Sequence, residues 1–305
     1  MEITEDIQVT FEQESLIDMH SIMNTLNLLS LELYLVNRRV GGYTPIDLIL
    51  QEIHRIGRAL YRKETAHYEA AKLESLIHKI REAVTAARLL PGVKEELPKE
   101  LERSALNIES IITVMRVRIR EIIARADDAY AWVTHSIGEL HHNFRVVFDA
   151  IQRNSKGAYK IVENTAQHGK GDYLIELVIS SSEDSTIRMP AVFQDVMRDL
   201  IANARKYTPP GGRILAELEN DGNELHFRVQ DTGVGIKPDE LERVVVFGVR
   251  GSNVLQRPTR GGGFGLTKAY FVTRRCGGRM WIESQLNRGT RIDIVLPVPE
   301  DVQQR

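Results

Sequence analysis

The chain has 305 residues and a mass of 34.6 kDa, with 40 Lys+Arg against 42 Asp+Glu and a net charge of −2. That near balance excludes a protein living on nucleic acid, where excess Lys/Arg supplies the affinity, and 42% hydrophobic with 27% charged residues excludes a disordered chain. The single cysteine, Cys276, excludes an internal disulfide and a multi-cysteine zinc site and fits a reducing compartment.

At roughly 150 residues per domain the length predicts two domains. Met1–Asp6 carries three acids and no base, unlike a signal peptide. The richest apolar stretch, Leu26–Val36, is short and broken by Glu32, so no bilayer span is expected. The expectation is a soluble cytoplasmic protein.

The first half reads as helices. Ile22, Leu26, Leu29, Leu33 and Val36 share one face, and Ile46, Ile49, Ile53, Ile56 and Leu60 repeat the spacing after Gly41–Pro45. Leu73, Ile77, Ile80 and Val84 continue it, and Leu101, Ile108, Ile112, Met115, Ile119 and Ile122 follow the Pro91–Pro98 turn. Such stripes predict an antiparallel bundle. The last of these helices either runs on past Asp127-Asp128 or is recapped there. Ile137, Leu140, Phe144, Val147, Phe148 and Ile151 form a further stripe, stopping near Asn154–Gly157.

After Gly157 the period changes. Strands are predicted at Tyr159–Val162, Tyr173–Ile179, Ile187–Met189, Ile214–Glu219, Leu225–Gln230, Met280–Ser284 and Arg291–Leu296. Pro190 opens a helix running to about Tyr207, and Leu266–Arg275 is another. The fold class is therefore α+β, a helical bundle followed by a sheet with helices on one face.

Three motifs carry chemistry. Asp231-Thr-Gly233-Val-Gly235 follows a strand, and its glycines permit φ > 0 and close approach of a flat ligand. Its carboxylate suits an exocyclic amine. Gly261-Gly-Gly263-Phe-Gly265-Leu266 leads into a helix, where backbone N–H groups cradle phosphate oxygens. Asp199 and Asn203, four apart, share a helical face able to hold a divalent cation, with Lys206 as a point charge for phosphate.

In this order the three motifs resemble the N, G1 and G2 boxes of the ATP-binding fold shared by DNA gyrase, Hsp90 and histidine kinases. Asn203-Ala-Arg-Lys-Tyr-Thr before Pro-Pro-Gly-Gly is most similar to the sensor histidine kinase version. Gly289-Thr290, ahead of a strand ending in Leu296-Pro297, resembles the G3 element. The resemblance covers about Phe144–Pro299 and implies an α/β-sandwich ATP-binding domain. It implies that Asn203 coordinates Mg²⁺, Lys206 meets the phosphates and Tyr207 packs on adenine. Asp231 would read the adenine amine, Gly233 and Gly235 shape that pocket, and Thr290 support Asp231. Gly261, Gly263 and Gly265 would close over the triphosphate, with about Phe247–Gly261 as the ATP lid. The lid departs from the usual pattern, with one recognisable Phe and an Arg in Phe247-Gly-Val-Arg250-Gly251.

A histidine kinase also needs an acceptor imidazole on a bundle helix. His20 lies about 160° from the Ile22/Leu26 stripe, at 100° per residue, and His20-Ser-Ile-Met-Asn24 resembles the H-x-x-x-N acceptor pattern. His135, read as helical, is the alternative. Ser21 stands where many such kinases carry an acid, so Asp199, at the first N-box position, is the candidate base. The implied layout is a dimerisation and phosphoacceptor bundle over 1–135 and a catalytic domain over 136–305. The implied activity is an ATP- and Mg²⁺-dependent histidine kinase that forms a homodimer and serves a response regulator or phosphotransfer protein, its sensor short, lost or on another chain. Serine/threonine kinases on this fold, an ATP-gated dimerising machine and a scaffold with a dead ATP site are the alternatives.

Overall fold

The computed structural model describes residues 1–60, 63–91, 93, 99–124, 128–155, 157–254 and 263–300. It divides into two compact units, one of Glu14–Ala126 and the other of Met1–Gln13 with Asp127–Arg305.

The first unit is helical. It contains α1 (Phe11–Arg39, whose first residues belong to the other unit), α2 (Thr44–Leu60), α3 (Lys63–Arg88) and α4 (Lys99–Ala124). The predicted stripes meet in one core: Ile22, Leu29 and Leu33 from α1, Ile46 and Ile56 from α2, Leu73 and Ile80 from α3, and Ile112 and Ile119 from α4 are all buried together. Polar contacts fix the helix pairing. Asn37 at the end of α1 donates to Asp47 Oδ1 at 2.7 Å and accepts from the Tyr43 N–H at 2.6 Å, pinning the α1–α2 turn. Arg39 donates to Ser104 Oγ at 2.8 Å, tying α1 to α4. The stripes of α1, α2 and α3 pack with that of α4 in this one core within the chain.

The second unit is a mixed sheet with helices on one face. Its described strands are β1 (Trp132–Ser136), β2 (Ile161–Val162), β3 (Tyr173–Ser181), β4 (Thr186–Pro190), β5 (Arg213–Asn220), β6 (Glu224–Asp231), β7 (Arg279–Gln285) and β8 (Gly289–Pro297). The main sheet has the order β2-β3-β5-β6-β8-β7, parallel across the first three strands and antiparallel thereafter. Alternate residues Ile214, Ala216 and Leu218, with Phe227, Val229, Ile292 and Ile294, point into a core shared with α5 (Ile137–Asn154), α6 (Phe193–Tyr207) and α7 (Gly265–Arg275). The opposite face carries cross-strand ion pairs, Arg228 to Asp293 at 2.7 Å and to Glu217 at 3.5 Å.

Three sequence expectations are corrected. The domain boundary at 135/136 falls inside β1, which pairs antiparallel with β4, and Met1–Ile3 belongs with the sheet. The Ile3 N–H donates to the Met280 carbonyl at 2.8 Å and Ile282 N–H to the Met1 carbonyl at 2.9 Å, so the first residues cover the β7 edge. His135 is on β1, opposite Ile187, rather than on a helix. The run Trp-Val-Thr-His-Ser favours a strand, and the helix begins only after Ser136, whose hydroxyl accepts the Glu139 N–H at 3.3 Å. Pro190 closes β4 instead of opening α6; at the end of a two-stranded ribbon its missing N–H costs no ladder bond.

Candidate functional site

The site is built where α6, the β6–β7 connection and β8 converge. Asp231 is the last residue of β6, and its Oδ1 accepts from the Gly233 N–H at 2.7 Å and the Thr290 N–H at 3.3 Å. Among the described residues no hydrogen bond goes to its other oxygen. Burial pushes this carboxyl up to about 6, against the lowering effect of the two N–H groups. Thr290 thus meets Asp231 through its backbone, while its hydroxyl bonds Ser284 Oγ at 2.9 Å. Ser284 Oγ also accepts from the Ile236 N–H at 2.8 Å, fastening the Asp231–Ile236 loop to β7.

Gly235 has φ +69°, and a Cβ there would overlap the Gln285 carbonyl; only glycine is unstrained in that position. Gly233 packs on the Tyr207 carbonyl, and the Val234 N–H donates to that same carbonyl at 3.1 Å. The C-terminal end of α6 is thereby docked onto the loop through the backbone of the half-buried Tyr207.

Asn203, one α6 turn before Tyr207, faces the start of α7. A Cβ on Gly265 would stand 2.5 Å from Asn203 Nδ2, so the glycine allows the two helices to approach. Gly263 lies against the Val249 carbonyl and the Arg250 side chain. Phe264 stacks on Phe247, ring centroids 4.5 Å apart. Gly261 and the predicted lid residues 255–260 lie outside the described residues.

Lys206 is the cation of the site. Burial first, then Arg250 and Arg205, lower its amine to about 8. Among the described residues no carboxylate lies within ion-pair distance of Lys206 or Arg250, and like charges held together without an anion suit a polyanion. Asn203 offers one amide oxygen for Mg²⁺. Among the described residues no group of three or more His, Cys, Asp and Glu could hold a metal. The donor set therefore fits an ion that keeps its waters and phosphate ligands rather than a protein cage.

Asp199, the expected base, lies on α6 with its Oδ2 3.5 Å from Lys268 Nζ. His20 belongs to the other unit, where it is half-buried rather than exposed; the Asn24 amide nitrogen is 2.9 Å from its Nε2. His135 is half-buried, and burial lowers its imidazole. Sequence reasoning passed over Arg250 as a site cation and Lys268. The second had a signal: Lys268 lies four residues after Phe264 and four before Val272, on the inward face of α7.

Residues 190–300 match the family described as histidine kinase-, DNA gyrase B- and HSP90-like ATPase, so this segment is a nucleotide-binding domain of that family. The chain is 37% identical over 105 residues to histidine protein kinase DivJ of Caulobacter vibrioides, covering 34% of this chain and 17% of that protein. It is 26% identical over 249 residues to the adaptive-response sensory kinase SasA of a Synechococcus species, covering 77% of this chain and 61% of that one. Among solved structures, the mycobacterial sensor histidine kinase MprB aligns with a TM-score of 0.39 and 21% identity, over 54% of this chain and 97% of that one. The chain spans less than two thirds of the length of these two curated relatives. No helix among the described residues is long and apolar enough to cross a membrane.

Proposed function

We propose that this chain is an ATP-dependent histidine kinase of a two-component system, holding ATP in the 190–300 domain and accepting its γ-phosphoryl group on His20. The observation that carries the reading is that the α6 terminus bearing Lys206 is bonded to the loop of the desolvated Asp231 carboxylate, with the Arg250 cation neighbouring Lys206. Asp231 would accept from the adenine amine, Tyr207 pack on the ring, and Gly233 and Gly235 admit it. Lys206, Arg250 and the Gly261–Gly265 turn would meet the phosphates. Asn203 and Thr290 would, respectively, supply an oxygen to Mg²⁺ and hold Asp231. Mg²⁺, when bound, offsets phosphate charge.

In the transfer, a ring nitrogen of neutral His20 forms a bond to the γ-phosphorus. The bond to the β,γ-bridging oxygen breaks and ADP departs with the electron pair. The proton on the other ring nitrogen passes to Asp199. With the Asn24 amide nitrogen donating, His20 Nε2 accepts and that proton sits on Nδ1.

This reading carries with it a cytoplasmic location and a response regulator or phosphotransfer protein as the next acceptor. It also leaves room for a sensor on another chain. A homodimer would have to use a surface other than the stripes buried inside the α1–α4 bundle.

The test is incubation of the chain with γ-labelled ATP and Mg²⁺, followed by acid and alkali treatment. A phosphohistidine is lost in acid and survives base. Label that resists acid would move the assignment to a serine/threonine kinase on the same fold. ATP binding without any label would leave an ATP-gated non-kinase.

A further inference from the structure

Four ionisable side chains meet between α6 and α7. Asp195 pairs with Arg198 within one turn of α6, and its second oxygen pairs with Lys268 of α7. The same Lys268 Nζ stands 3.5 Å from Asp199 Oδ2. Lys268, Arg198 and Asp195 are no more than 5% exposed at their side chains, whereas Asp199 is 22% exposed. Two cations and two anions balance, and only Asp199 reaches outward.

Burying such a cluster is costly. Replacing a buried ion group by well-packed apolar residues is often neutral or stabilising, whereas removing one partner strands the rest. Position 268 lies between Phe264 and Val272 on the inward face of α7, where an apolar residue would pack without desolvating a charge. An ammonium at this place serves the arrangement of its partners. Asp195, Asp199 and Asn203 rise along one face of α6 at four-residue intervals. Lys268 occupies the space between the first two, from the helix that follows the glycine turn.

We propose that Lys268 is a positioning residue, its ammonium fixing the Asp199 carboxylate at the Asn203 face of α6 for the proton transfer. The inference rests on the kinase reading above. Asp195, itself held by Arg198, anchors Lys268 from below, so Asp199 is oriented by a group whose own position is fixed. The charged group facing Asp199 from α7 is Lys268, which the neighbouring α6 pair of Asp195 and Arg198 holds in turn. The arrangement also couples the base to the start of α7, whose first residue Gly265 abuts Asn203.

The test is a double-mutant cycle on the full chain, with autophosphorylation measured in single turnover at saturating Mg²⁺ and ATP, for wild type, Lys268→Met, Asp199→Asn and the pair. Lys268→Met should slow transfer about ten- to a hundredfold, a part of the full effect of a general base. Its ATP affinity by calorimetry should stay within about twofold, since no nucleotide contact is removed. The pair should be no slower than Asp199→Asn alone, because Lys268 acts through Asp199. Equal slowing by Lys268→Met in both backgrounds, or an unchanged rate in the single variant, overturns the proposal. If Lys268→Met melts below the assay temperature, Lys268→Gln takes its place under the same criteria. Wild type without acid-labile label overturns the kinase reading and this inference with it. A labelled wild type with additive effects overturns this inference alone.

Discussion

The backbone N–H of Thr290, at the second residue of β8, donates to Asp231 Oδ1 at the end of β6, 3.3 Å away. The bond uses the register in which β6 and β8 pair antiparallel, from Glu224 opposite Pro297 to Gln230 opposite Arg291. Beyond that pairing, the next residues of the two strands converge on one carboxylate oxygen. With Gly233 N–H on the same oxygen, the carboxylate is held against rotation and its other oxygen is directed by default. Asp231→Asn retains the shape but replaces a charged acceptor with a neutral amide. ATP affinity should fall by about 1–3 kcal/mol, or roughly five- to 150-fold. Calorimetry on the folded variant checks this, and unchanged affinity would remove Asp231 from nucleotide recognition.

ATP affinity should also depend on pH at both ends. Asp231 titrates near 6 because burial disfavours its anion; below that value it protonates and ceases to be a charged acceptor, so affinity falls as pH decreases. Lys206 titrates near 8 because burial and its cationic neighbours disfavour its protonated form. Above that value the free site loses a cation, and binding a polyanion must take up a proton, so affinity falls as pH rises. The two limbs predict a maximum between about 6 and 8. Lys206→Met should flatten the alkaline limb and leave the acid limb in place. Calorimetry in buffers of differing ionisation enthalpy would report the proton uptake directly.

Much of the second unit is legible in the sequence because its signals are local. Ile214, Ala216 and Leu218 alternate with polar residues on β5, and each is buried. The Asp-Thr-Gly-Val-Gly pattern is legible for the same reason: a glycine such as Gly235 answers to its own backbone angle. β1 was missed because none of its five residues is fully buried, so no period-2 pattern competed with the helical stripe that begins at Ile137. The apolar stripes of α1 and α2 reveal that a partner face exists, but not whether α4 or another chain supplies it. Lys268 shows the same limit. Its spacing places it inward, but Asp195 and Asp199 as its partners exist only once α6 and α7 are packed together.

The bundle core gives a paired prediction on α1. Leu33 is fully buried against the other helices, whereas Leu31 is 43% exposed. Leu33→Ala should destabilise the bundle by about 2–5 kcal/mol through lost transfer energy and a residual cavity. Leu31→Ala should cost less than about 0.5 kcal/mol, as expected at a surface without special contacts. Circular dichroism melts of the two variants check this. A Leu31→Ala cost equal to that of Leu33→Ala would show that a further surface covers this face.

His20 and Asn24 carry the last prediction. The amide nitrogen of Asn24 stands 2.9 Å from His20 Nε2, one helical turn away. While that contact holds, the Nε2 lone pair is engaged and the ring is fixed about its χ angles. Asn24 therefore orients the imidazole in the resting chain and must release Nε2, or turn its amide, before that nitrogen can attack phosphorus. His20→Ala should abolish acid-labile label while ATP affinity is retained, since no part of the 190–300 domain is altered. Asn24→Ala should free the ring, so the label should remain on His20 but form at a changed rate, with the fall or rise reporting whether orientation or release dominates. Asn24→Asp, which cannot donate when ionised, would instead accept from a ring N–H and favour the opposite tautomer. Mapping the phosphorylated nitrogen by NMR in wild type and Asn24→Asp would then show a shift between Nε2 and Nδ1. Acid-labile label that persists in His20→Ala would dismiss His20 as the acceptor, and its loss in His135→Ala would move the assignment to β1.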